Sequence, residues 1–181
     1  MTFLNLYYIY YIMLYSLSTN VITDTAHAIA AMQSLSGGEE GRALFGPILE
    51  PGRQGLLRLL VKNAFAEVIV SLLPFITDCN LDDEDEASDV AHQEADDDSD
   101  ALLQFELSAP GKLSSGAHSG IRRALEQSIA YKALQLWAIS VESTEIAGML
   151  GEKAAGNLAV ALRSISMADV SPCLRSAWPD W

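Results

Sequence analysis

The sequence predicts a mainly α fold, with about four helices in a bundle and one β-hairpin carrying a long acidic loop. Three observations carry this expectation. Long runs of Leu, Ala, Ile and Val recur at helical spacing and are cut by Gly and Pro. One short segment, Leu102 to Leu107, alternates apolar and polar residues and ends at Pro110-Gly111, as a strand does. Between the halves, Asp82 to Asp100 holds eleven of the 24 acids and no Lys or Arg. A self-repelling block of this kind cannot bury itself and stays solvated. The formal charge of −13 is therefore concentrated in one loop.

At 181 residues the chain is one domain, or one domain with appendages. The expected organisation is a hydrophobic appendage at 1–20, a helical domain at 21–169 with its acidic loop at 82–100, and an aromatic tail at 170–181. From Phe3 to Leu17 the chain is nearly all apolar and includes Tyr7, Tyr8, Tyr10, Tyr11 and Tyr15. Three readings fit this stretch. It is a segment outside the domain, such as one from a start codon called too early. It is a signal or membrane anchor, although it falls short of the ~20 residues that span a bilayer and the first basic residue is Arg42. Or it is a strand or helix of the fold.

The first helix is expected from a Thr23-Asp24 cap through Ala26 to Leu35, stopped by Gly37-Gly38. Residues 37 to 55, with six glycines and two prolines, read as a loop pinned by Leu44, Phe45, Ile48 and Leu49. The second helix runs from about Arg53 to Leu73 and ends near Pro74. Its polar line shifts from Gln54, Arg58 and Lys62 to Asn63, Glu67 and Ser71, which suggests a central helix covered by different neighbours. The strand at Leu102 to Leu107 needs a partner, and Phe75 to Asn80 is the nearest one. The third helix starts among Ser114, Ser115 and Gly116 and reaches about Ser143, with Arg122 and Glu126 paired at i, i+4. It becomes apolar on two sides near Leu134, Trp137 and Val141, which makes Trp137 a core anchor. A fourth helix, rich in Gly and Ala, follows Thr144-Glu145 or restarts at Gly151.

The motifs of known chemistries fail on their spacing. In Gly116-Ala117-His118-Ser119-Gly120 the serine is one place late for a nucleophile elbow. The expected reading is a small-residue helix start with His118 exposed. His92-Gln93-Glu94 with Pro172-Cys173 lacks the second cysteine of a zinc deaminase. Gly111-Lys112 is no phosphate loop. The acidic block lacks the alternating ligands and turn glycine of an EF-hand. Lys132 sits in the apolar line of the third helix, where its ammonium is expected to reach water or an acid. Cys79 and Cys173 read as buried free thiols, with a disulfide the alternative. Arg122-Arg123 point about 100° apart on a helix and form no basic patch, so no nucleic-acid partner is expected. The sequence thus predicts no enzyme, with no catalytic, cofactor-binding or metal-binding residue. The candidate interaction residues are Trp178 and Trp181, which flank Pro179-Asp180.

Leu56 to Pro74, the acidic loop, Phe105 to Pro110, Ile121-Arg122-Arg123-Ala124-Leu125-Glu126 and Ala130 to Trp137 together resemble a group of uncharacterised proteins. These are encoded near tail and head-tail genes in prophages and mobile elements of gut Bacteroidales. The resemblance covers roughly residues 50 to 165. It implies a non-enzymatic structural or interaction protein, a phage-type virion or tail-assembly component. Its partners would be copies of itself or other assembly subunits, and its place the cytoplasm or the virion. The alternative is a small membrane-associated or exported helical protein that uses residues 1–20. A third reading is an enzyme of an unseen class, with Lys132 and His118 the sole candidates.

Overall fold

The structure, a computed structural model, describes residues 11–79, 102–109 and 113–167. It is mainly helical, with five α-helices and a three-stranded antiparallel sheet among these residues. In chain order the elements are β1 (Tyr11–Ser18), α1 (Thr19–Ser36), α2 (Gly38–Phe45), α3 (Gln54–Leu72), β2 (Ile76–Cys79), β3 (Leu102–Ala109), α4 (Ser115–Ser140) and α5 (Thr144–Ser166). Single 3₁₀ turns at Pro47–Leu49 and Leu73–Phe75 lead into and out of α3.

The largest departure from expectation is at the N-terminus. The appendage assigned to 1–20 does not hold over its described part, because Tyr11–Ser18 is a strand of the sheet. Its inward residues Tyr15 and Leu17 are buried, and Met13 packs against the core beside them. Its outward residues Ile12 and Leu14 are 62% and 64% exposed. Because both faces are apolar, the sequence shows no alternation and the strand is hidden. The sheet order is β1-β3-β2, so the strand read from Leu102–Leu107 is the central one. Tyr15 lies opposite Phe105 and Leu17 opposite Leu103 across the β1–β3 pair. The Tyr15 and Phe105 rings stack at 5.5 Å, and Phe65 of α3 meets Phe105 at 6.2 Å. This aromatic column fixes the sheet on the helices.

The first helix begins four residues before the predicted cap. Ser18 is the N-cap, its Oγ accepting from the Val21 N–H at 3.2 Å. Thr23 lies inside the helix, and its hydroxyl donates back to the Thr19 carbonyl at 2.8 Å. The stretch predicted as a loop holds a further helix, α2. It turns off α1 through Gly38, whose φ of 64° suits glycine. Gly41 then lets α2 lie against the end of α1, since a Cβ there would stand 2.6 Å from the Gln33 carbonyl oxygen. Phe45 anchors the short helix with 1% exposure.

The bounds of α3 match the predicted second helix, but α3 is not the central helix. Its inner side, including Leu57, Val61, Phe65, Ile69 and Leu72, is buried, while a broad outer side faces solvent. The central position belongs to α4, which packs against α1, α3 and α5. Ser114 caps α4, its Oγ accepting from the Ala117 N–H at 3.2 Å. The expected Arg122–Glu126 pair forms at 3.0 Å. A tight turn with Glu142 at φ 60° reverses the chain into α5. Trp137 is 8% exposed and its indole N–H donates to the Leu44 carbonyl at 2.9 Å, tying α4 to α2.

Candidate functional site

The candidate interaction residues Trp178 and Trp181 lie outside the described residues, as do the acidic block, His92, the Gly111-Lys112 pair and Cys173. His118 and Lys132, the two rejected catalytic candidates, are placed, and the structure does not bring them together.

His118 is not exposed, as its glycine-rich setting suggested, but half-buried against the sheet. Its Nδ1 lies 2.9 Å from the Tyr15 hydroxyl, and the two rings are tilted at 5.8 Å. Burial pushes the Tyr15 phenol from 10.0 up to about 12, so at neutral pH it keeps its proton. The tautomer of the His118 ring sets which of the two groups donates. A phenol held neutral is neither a base nor a nucleophile. The pair pins β1 to the start of α4, across 103 residues of sequence.

Lys132 reaches an acid, as expected: its Nζ lies 2.8 Å from a Glu67 oxygen. The pair sits in a cleft of about 410 Å³ between α3, α4 and α5. Ser128 in the same cleft donates to the Ala154 carbonyl at 2.9 Å and is not poised for attack. The Gln135 amide lies against Gly151, its Oε1 buried without a hydrogen-bond partner. A second cleft, about 530 Å³, opens between α1, α3 and the turn at Pro47–Leu49. Asp24, His27, Glu50 and Gln54 rim it, and Arg58 donates to Asn20 Oδ1 at 3.1 Å. The one hydroxyl among its lining residues, on Thr23, is already bonded to a backbone carbonyl. A third, of about 460 Å³, is mostly apolar and lies over Trp137, Leu44 and Ile146. Among the described residues no three His, Cys, Asp or Glu side chains converge to hold a metal ion.

The sheet offers a different kind of site. Its two edges are unlike. β2 has four residues, a register shift between Ile76 and Asp78, and an acid in its sequence. Short, bulged and charged edges resist further pairing. β1 has eight residues with no charge, proline or glycine. It pairs with β3 on one side, and no described strand lies on the other. An outermost strand of this kind is a template for another strand, and this one bears the exposed side chains of Ile12 and Leu14. Sequence reasoning missed this edge because it depends on which strand lies outermost. The uncharged run from Tyr11 to Ser18 was the available signal.

None of the helices among the described residues is long and apolar enough to cross a membrane. No known protein family, curated protein or solved structure matches this chain.

Proposed function

We propose that the protein is a non-enzymatic structural subunit that works by pairing its N-terminal strand with a neighbouring copy in an assembly. The observation that carries this reading is the β1 edge, which no described strand covers and which holds no charge, proline or glycine, on a sheet whose opposite edge is blunted. Adding a strand to such an edge supplies main-chain hydrogen bonds without any special side chain. Because β1 carries no charge, antiparallel pairing with its own copy brings no like charges together. The helices α1, α3, α4 and α5 act as a bundle that holds the sheet rigid. The acidic block lies between β2 and β3 in the sequence, and its charge supplies a repulsion that keeps assembled copies soluble. The assignment to a phage-type virion or tail assembly rests on the sequence resemblance.

Hydrogen–deuterium exchange on the full chain tests the reading. With rising concentration, amides of Tyr11–Ser18 on the free side should gain protection. Ile12→Lys with Leu14→Lys, at exposed positions, should abolish the gain and leave the far-UV spectrum unchanged. Exchange at β1 that does not depend on concentration would refute it.

A further inference from the structure

The outer side of α3 carries a second pattern, unrelated to the sheet. Leu56, Leu59, Asn63, Ala66, Val70 and Leu73 follow one another at alternating steps of three and four. This is a heptad seam, with Leu56, Asn63 and Val70 at a and Leu59 and Ala66 at d, and Leu73, the cap residue of α3, at the next d. The large members of the seam are open to solvent: Leu56 36%, Leu59 54%, Val70 64% and Leu73 56% exposed. The core of the chain uses the opposite side of α3, through Leu57, Val61 and Phe65. One helix therefore has an inward face that folds the domain and an outward one with coiled-coil spacing.

We infer that α3 pairs in parallel, in register, with α3 of a second copy. Three features of the seam select this occupant. The first is Asn63. Its amide would face an alanine in an antiparallel pair centred on the seam, but in parallel register it meets the Asn63 amide of the other copy. A single asparagine at an a position is the device that fixes a two-stranded register. The second is charge. Lys62 precedes Asn63 at g and Glu67 sits at the following e position, the spacing at which g and e residues of parallel partners meet. A two-fold pair thus makes the Lys62–Glu67 contact twice. Glu67 holds Lys132 of its own chain through one carboxylate oxygen, and the other oxygen is not part of that contact. The third is access: the exposed residues Lys62, Glu67 and Ser71 bracket the seam, and no described element lies across it.

The inference deepens the structural-subunit reading by giving the chain a second contact with its own kind, independent of β1. One two-fold contact closes a dimer. Two unrelated contacts on one chain propagate into larger assemblies.

The test uses the full chain in the Ile12→Lys/Leu14→Lys background, which blocks pairing through the sheet, so failure at α3 is read separately from failure at β1. This protein should sediment as a concentration-dependent dimer. Leu59→Glu with Val70→Glu should weaken that dimer more than about tenfold, with the far-UV spectrum unchanged. Asn63→Cys under mild oxidation should give a disulfide between two copies of residue 63, identified by peptide mass mapping, because in-register a positions bring the two Cα atoms within bridging reach. A monomer at all concentrations, a dimer indifferent to the two glutamates, or the absence of the 63–63 link would each overturn the inference.

Discussion

Replacing Trp137 probes the joint that makes α2 part of the fold. The indole is 8% exposed and its N–H donates to the Leu44 carbonyl at 2.9 Å. Leu44 lies in the last turn of an eight-residue helix, where carbonyls have no partner within the helix. An isolated helix of that length is not stable in water, so α2 depends on Phe45, on Gly41 and on this bond. Trp137→Ala removes both the ring and the bond. Truncating a buried tryptophan costs about 3–5 kcal/mol. Losing the partner of a buried carbonyl adds about 1–3 kcal/mol, but the apolar cleft beside Trp137 lets water reach Leu44 once the ring is gone. The bond's share therefore falls at the low end, about 1 kcal/mol, and the total should be about 4–6 kcal/mol. Trp137→Phe keeps most of the apolar volume and loses the donor, so about 1 kcal/mol is expected. Urea unfolding followed by far-UV circular dichroism measures both, independently of Trp178 and Trp181. A loss below about 1 kcal/mol for Trp137→Ala, or equal losses for the two variants, would refute the account of the joint.

Four more outcomes follow from the same geometry. Gly41→Ala should destabilise by about 1–3 kcal/mol in urea titration, because its Cβ would press on the Gln33 backbone carbonyl, which cannot swing aside. Gly148→Ala and Gly156→Ala, in open positions within α5, should instead stabilise by about 0.5–1 kcal/mol each. Lys132→Met should change stability by less than about 1 kcal/mol, since its pair with Glu67 is partly open to solvent. For Tyr15, the folded phenol holds its proton to about 12 while the unfolded one releases it near 10.0. The unfolded chain therefore binds fewer protons between those values, and stability should fall as pH rises through that window. Tyr15→Phe, weaker at neutral pH for want of the His118 bond, should show a shallower alkaline decline in thermal unfolding.

The sequence was most legible where one local pattern decided the structure. α3 and α4 have their apolar spacing and their stops at Leu72 and Ser140 in nearly the expected places, and α5 starts at Thr144, the earlier of its two expected starts. Lys132 found an acid and Trp137 a core position for reasons visible in the residues around them. What stayed hidden was decided by distant partners. β1 shows no alternation because its outer face bears Ile12 and Leu14. Two glycines in eight residues disguise α2, and they are there because Gly38 must turn and Gly41 must lie close to α1. The Tyr15–His118 contact joins residues 103 positions apart in the sequence. Of the candidate sites, the heptad on α3 was written in the sequence at Leu56 to Leu73. It could be recognised only once the opposite side of that helix was seen to fill the core.

The central claim is that this chain is built to assemble, through the edge of β1 and the outer seam of α3. Sedimentation velocity of the unmodified full-length protein across a wide concentration range tests it most directly. Two independent contacts predict a mass that rises with concentration past the dimer. A protein that sediments as a monomer throughout would contradict the claim.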